Sequence, residues 1–302
     1  MILVFDYNGY WSDLVYVLQH VGLKIFVLQQ ITPTVLNHLD EKDIILPIGI
    51  KSQIELNKYS KYKEKFLINK EKIYEILDDK ILFYNFISQE KILDNSVIKL
   101  IPTYNNYTGY NMIRKVLLKE RNQCAAKGHI IKNNYINEIV DEYKITHQIQ
   151  DIINIKKVYS ISFLCYKGLL IKSLNFIKHG NIENSHINSN VDLIIKDTKK
   201  VFTDVIQNIV KKLKLSGIHE IEFIKDKNGT IYLMEFNPRI AGTLKCFCNN
   251  ESPFVNELII SYCNIISNED LVKNNVSKLY GTYLGKLNKK YEVCKCGIVT
   301  LD

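Results

Sequence analysis

Four side chains between residues 219 and 239 have the types and spacing to do chemistry. The segment runs His219-Glu-Ile-Glu-Phe-Ile-Lys-Asp-Lys-Asn-Gly-Thr-Ile-Tyr-Leu-Met-Glu-Phe-Asn-Pro-Arg239. Two runs of alternating apolar residues flank Asn228-Gly229, the dipeptide suited to a two-residue type I′ turn. With that turn Lys227 pairs with Thr230, and counting back places Glu222 opposite Glu235. Strand periodicity puts Asn237 on the same face as Glu235. A four-residue loop, 226–229, shifts the partners but keeps the three side chains on one face. Two carboxylates opposed on a strand pair repel, and a divalent cation removes that conflict. Glu222, Glu235 and Asn237 supply only hard oxygen donors, which favours magnesium or manganese over zinc. Arg239 adds a guanidinium two residues beyond Asn237.

The rest of the chain must position this face. The 302 residues are 46% hydrophobic and 24% charged, a composition ordinary for globular proteins. No apolar run is long enough to cross a membrane, and the N-terminus lacks a basic leader region. The expected compartment is therefore the cytoplasm, with the seven cysteines reduced. The net charge of +8 comes from lysine, because only Arg114, Arg121 and Arg239 are arginines. Those lysines are dispersed among acidic and polar residues and read as a solvated surface, not a nucleic-acid footprint. Cys246-Phe-Cys248 and Cys294-Lys-Cys296 do not have the usual spacing of zinc ligands.

Residues 2–6, 24–28, 44–48 and 66–68 read as strands with a helix at 11–21, a small parallel α/β unit. Residues 70–78 form a helix and 97–101 a strand with Lys99 at its centre. A polar loop follows at 105–110. Residues 158–165 and 168–174 form a hairpin, and 192–214 carries apolar positions at helical spacing. The fold class is α/β, with α+β lobes behind a parallel N-terminal unit.

Tyr232-Leu-Met-Glu-Phe-Asn-Pro-Arg-Ile-Ala-Gly-Thr243 resembles the metal-binding signature of the ATP-grasp superfamily. The resemblance extends in outline along the chain. It implies a pre-ATP-grasp domain at 1–68, a lid at 69–150 and a large lobe with the metal site at 151–302. It implies ATP and magnesium (or manganese) as cofactors, with Glu222 and Asn237 each on one ion and Glu235 bridging. Arg239 would steady the transferring phosphoryl group, Lys99 would reach the ATP phosphates, and Lys70 would contact them as well. The loop 105–110 takes the place of a phosphate-covering loop. Gln148–Ile153 matches the interlobe hinge, with Gln150, Asp151 and the backbone of Ile152 and Ile153 at the adenine. Where the family carries an acid for the ribose, this chain has Val158.

The chemistry so implied is carboxylate activation by ATP followed by attack of an amine, with small-molecule carboxylate and amine substrates. Nucleic acid and membrane are not expected partners, and a homodimer is left open. Two other readings keep the nucleotide site. One is a small-molecule kinase, and the other is a nucleotide-binding regulator without turnover, which Val158 favours.

Overall fold

The computed structural model describes residues 1–9, 25–122, 129–179, 191–196, 198–241, 253–267, 290–294 and 297–300. The expected helix at 11–21 and three of the four paired cysteines, Cys246, Cys248 and Cys296, lie outside them.

The front unit is a three-stranded parallel sheet: β1 (Ile2–Phe5) at the centre, β2 (Ile25–Leu28) and β3 (Ile44–Pro47) on its flanks. Alternate residues of β1 divide between two cores. Leu3 and Phe5 pack with Leu36 of the short helix α1 (Pro33–Asn37) and Leu56 of α2 (Ile50–Asn57). Val4 faces the other way and joins the large lobe. The expected strand at 66–68 does not form. Its main chain is satisfied by side chains instead: Leu67 N–H donates to Tyr262 Oη at 2.9 Å and Asn69 N–H to Tyr74 Oη at 2.7 Å. Tyr262 also donates to the Ile45 carbonyl at 2.9 Å, so one hydroxyl joins the front sheet to the large lobe.

Two helices follow, α3 (Glu71–Asp78) and α4 (Lys80–Gln89). Asp79 caps α4 through Oδ1, which accepts from Ile81 N–H at 2.9 Å and Leu82 N–H at 3.1 Å. Then comes a short strand, β4 (Ile98–Leu100). Leu77, Phe83, Tyr84, Ile87, Ile98 and Ile101 belong to the same core as the large sheet. Residues 71–101 therefore pack with the large lobe, where the sequence suggested a lid from residue 69.

Within the span expected as a lid, the part with a core of its own is smaller, and the name lid is kept for it. It is a three-stranded antiparallel sheet of β5 (Ile113–Glu120), β6 (Ile130–Tyr135) and β7 (His147–Asp151), covered by α5 (Ile136–Tyr143). Six of its buried apolar residues form a core of their own: Val116, Leu118, Ile136, Ile139, Val140 and Ile149.

The large lobe is built on an eight-stranded sheet in the order β14-β13-β10-β9-β8-β11-β12-β4. The strands are β8 (Ile155–Tyr166), β9 (Leu169–His179), β10 (Val191–Lys196), β11 (Gly217–Asp226), β12 (Ile231–Asn237), β13 (Lys290–Cys294) and β14 (Gly297–Thr300). The β8–β9 hairpin turns at Lys167 and Gly168, both at positive φ (46° and 87°), as a type I′ loop requires. On one face the sheet carries α6 (Lys200–Leu213), whose Phe202, Val205, Ile206 and Ile209 are buried. On the other lies α7 (Pro253–Ser267), with Leu258, Ile259 and Tyr262 inward. The expected helix over 192–214 is shorter, because 191–196 is strand: paired on both sides, it becomes part of the sheet.

Candidate active site

The acidic face stands on β11 and β12, and the expected pair is present, with Glu222 directly opposite Glu235. The turn that produces it differs from the expected one. Asn228 does not adopt positive φ; only Gly229 does, at 95°. The Asp226 carboxylate accepts from Thr230 N–H at 2.7 Å, and Gly229 N–H donates to the Asp226 carbonyl at 3.2 Å. This is a three-residue loop closed by a left-handed glycine. It moves the register by one residue, so Phe223 pairs with Leu233. A β-bulge at Met234 then moves it back, and Glu222 meets Glu235. The bulge is held from α4: Tyr84 Oη lies 2.8 Å from the Leu233 carbonyl and 3.2 Å from that of Met234.

Asn237 shares the face and sits opposite Glu220, a buried carboxylate that hairpin counting did not single out. The Asn237 amide donates to Glu220 Oε2 and to Glu235 Oε1, each at 3.3 Å. Its oxygen accepts from Arg239 Nη2 at 3.2 Å. Arg239 Nη1 lies 3.8 Å from Glu220 Oε2 and donates to the Ile240 carbonyl at 3.1 Å. Ser160, from the neighbouring β8, donates to the remaining Glu220 oxygen.

Two lysines complete the site, and neither is Lys99 or Lys70. Lys119 on β5 is 3% exposed and Lys80, the first residue of α4, is 8% exposed. Burial pushes the Glu235 carboxyl up, but Lys119, Lys80, the Asn237 amide and Arg239 together hold it below the usual carboxylate value. Lys119 fares differently. Its own burial pushes the ammonium below 10.5, with Lys80 adding to this and Glu235 and Glu222 opposing it. Glu235 thus has several cations to balance it, while for Lys119 the cost of burial outweighs the attraction of the two carboxylates.

The start of α4 is bolted to the end of β5, which brings the lysines together. Asp79 Oδ2 accepts from Arg121 Nε at 2.8 Å. Lys80 N–H donates to the Arg121 carbonyl at 3.2 Å, and its ammonium to the Glu120 carbonyl at 3.1 Å. Across the lid sheet, Lys119 pairs with Gln148 and Leu117 with Gln150. Both glutamines are buried, and their Oε1 atoms have no hydrogen-bond partner among the described residues.

The other expected residues take different places. Lys99 is exposed on β4, beside Tyr232, and is not among the cations that dominate the charge on Glu235. Lys70 is exposed at the N-terminal cap of α3. Asp151 is taken up within the lid: its carboxylate accepts from Arg114 Nη2 at 3.0 and 3.2 Å and from Tyr104 Oη at 2.7 Å. Ile152 and Ile153 follow it in the link to β8, the first exposed and the second half-buried. The loop 105–110 is fastened to the lid, because Asn105 donates to the His147 carbonyl at 2.7 Å and accepts from Ile149 N–H at 3.0 Å. Val158 is buried in the large core and offers no polar atom to a ribose.

No group of three or more histidines, cysteines, aspartates or glutamates placed to hold a metal occurs among the described residues. A cation here would rest on two carboxylates, an amide oxygen and oxygens of a bound ligand. That donor set fits magnesium, which commonly takes one or two carboxylates and completes its shell with phosphates and water.

The ATP-grasp domain profile matches residues 77–243, more than half of the chain, and the chain belongs to this family. Solved structures agree in fold. Phosphoribosylamine–glycine ligase from Thermotoga maritima superposes with a TM-score of 0.56 at 10% identity, covering 86% of this chain and 75% of the other. D-alanine–D-alanine ligase from Helicobacter pylori gives 0.55 at 11% identity, covering 87% and 97%. L-amino acid ligase from Bacillus licheniformis gives 0.55 at 13%, covering 87% and 73%. At these identities the likeness is one of fold. No curated protein sequence matches the chain. Among the described residues no helix is long and apolar enough to cross a membrane.

Proposed function

We propose that this protein is an ATP-dependent carboxylate–amine ligase working through an acyl phosphate, with magnesium (or manganese) as its metal. The observation that carries the reading is the buried Lys119 ammonium, on the lid, acting across the cleft on the Glu222/Glu235 face of the large lobe. A buried cation that its carboxylate neighbours do not fully compensate for lost hydration, beside acids arranged for a divalent metal, suits a polyphosphate.

On this reading Lys119 and Lys80 hold the phosphates, while Gln148 and Gln150 offer acceptors to the adenine amino group. Glu222, Glu235 and Asn237 would hold the metal, which when bound supplies charge neutralisation on the β- and γ-phosphates. A carboxylate oxygen of the first substrate attacks the γ-phosphorus, the bond to ADP breaks, and an acyl phosphate forms. Arg239 stabilises the charge that gathers on the transferring group. The amine then attacks the acyl carbon, inorganic phosphate leaves, and the amine gives up a proton to solvent. Lid closure keeps water from the mixed anhydride.

Trapping tests the reaction type. With magnesium, ATP and a panel of amino acids and other small carboxylates, hydroxylamine in place of the amine should yield a hydroxamate with stoichiometric ADP. A stable phosphate ester in place of the hydroxamate would make the protein a kinase. Nucleotide binding with no ADP formed in any mixture would make it a regulator.

A further inference from the structure

The turn that carries Arg239 is held from the front unit, by a side chain the family signature does not include. Gln53, on α2, is 2% exposed and lies 185 residues away in sequence from the group it binds. Its Nε2 donates to the Pro238 carbonyl at 2.7 Å. Its Oε1 accepts from Tyr74 Oη at 2.7 Å, and Tyr74 in turn accepts from Asn69 N–H at 2.7 Å. The amide cannot be reversed, since the Pro238 carbonyl only accepts and must face the NH2 group.

We propose that Gln53 is a positioning residue: its hydrogen bond to Pro238 sets the peptide plane from which Arg239 and Asn237 are aimed at the transferring phosphoryl group. Pro238 has a fixed φ and no N–H of its own. The chain leaving β12 is tightened there, with Arg239 N–H donating to the Asn237 carbonyl at 2.7 Å. The 238–239 peptide is thus held from both sides, its N–H by the Asn237 carbonyl and its C=O by Gln53 Nε2. That orientation passes to Arg239, whose Nη2 reaches Asn237 Oδ1 and whose Nη1 reaches the Ile240 carbonyl. A misalignment of about 1 Å at such a group can cost on the order of 100-fold in rate. The front unit thereby reaches the reaction centre through one amide. As a statement about catalysis this rests on the ligase reading; as a statement about geometry it does not.

The test uses the fact that the chain has only three arginines. In the full-length protein labelled with 15N-arginine, the Nε–H region should hold three signals, one of which Arg239→Lys removes. Gln53→Glu, which cannot donate to Pro238, and Gln53→Met should shift or broaden that Arg239 signal and leave those of Arg114 and Arg121 in place. Both variants should lower kcat for magnesium-ATP turnover roughly 10–100-fold, with the KM for ATP changed less than about threefold. In an Arg239→Ala background, Gln53→Met should cost nothing further. Asn57→Ala is the structural control. It removes bonds from the same helix to the Gln53 and Asn69 carbonyls without touching Pro238, and should lower Tm while leaving the Arg239 signal and kcat alone. An unmoved Arg239 signal with unchanged kcat in both folded Gln53 variants would overturn the proposal. Absence of ATP turnover in the unaltered protein overturns the ligase reading instead. The Arg239 signal, read without nucleotide, still decides the geometry.

Discussion

Lys119 and Glu235 stand on different sheets, one on the lid and one on the large lobe. Although burial pushes the Glu235 carboxyl up, the Lys119 ammonium does more than any other single group to hold it ionised. Lid and large lobe are therefore coupled electrostatically before any ligand arrives.

Replacing Lys119 tests its role against Lys99. Lys119→Met should raise the Kd for magnesium-ATP roughly 10–150-fold, the effect of losing ~1.5–3 kcal/mol of charged hydrogen bonding. Lys99→Gln should leave it within about twofold. Titration calorimetry on both decides, and equal losses would return Lys99 to the phosphate site.

The same lysine gives a pH dependence on the alkaline side. Its ammonium is depressed below 10.5 by burial, so it deprotonates before an ordinary lysine does. Affinity for ATP should fall as pH rises through that lowered value. Stability of the nucleotide-free protein should move the other way in the same window. The unfolded chain there holds a proton that the folded chain has released, so this contribution rises with pH. Lys119→Met should flatten both trends.

Arg239→Ala should cost about 2–4 kcal/mol of transition-state stabilisation, read from kcat/KM once a substrate pair is in hand. Lysine there should recover only part, since it lacks the planar fork that reaches Asn237 Oδ1 and the Ile240 carbonyl together.

On the acid side the residue to watch is His219, between the rings of Phe163 and Phe236 at the root of β11. Burial pushes it down to about 4 from 6.5, so it is neutral at pH 7. The unfolded chain takes up a proton on going below 6.5 and the folded chain does not. Stability present above 6.5 is therefore lost as pH falls toward 4, by up to roughly 3 kcal/mol. Denaturation between pH 4 and 7 should show that slope in the unaltered protein and a shallower one in His219→Phe.

The acidic pair was legible in the sequence because hairpin counting needs only local chemistry. It reached the right pair by a route the molecule does not take. A longer turn and a bulge at Met234 offset one another, and neither leaves a mark in the apolar alternation. The lysines were legible only in part. Val97-Ile-Lys99-Leu-Ile and Val116-Leu-Leu-Lys119 are the same pattern, an apolar strand with a lysine in it. What separates them is tertiary: β4 exposes its lysine beside β12, whereas β5 turns its own inward against α4. The adjoining Asp79-Lys80 pair, a helix cap followed by a cation, was the available signal for the second lysine. Gln53 left none, since its partner is a carbonyl brought near only by the assembled fold.

The lid occupies residues 113–151, between a strand at the sheet's edge and the strands that complete the sheet. Its contacts are local, while β4 must wait for β12, about 130 residues later, to find its hydrogen bonds. Local contacts close quickly and distant ones slowly. During synthesis the lid should acquire its shape early, around α5, as an autonomous island. The acidic face assembles last, when residues 231–237 emerge and zip onto Ile98–Leu100. A nascent chain arrested short of residue 231 would carry a formed lid and no place to hold a metal.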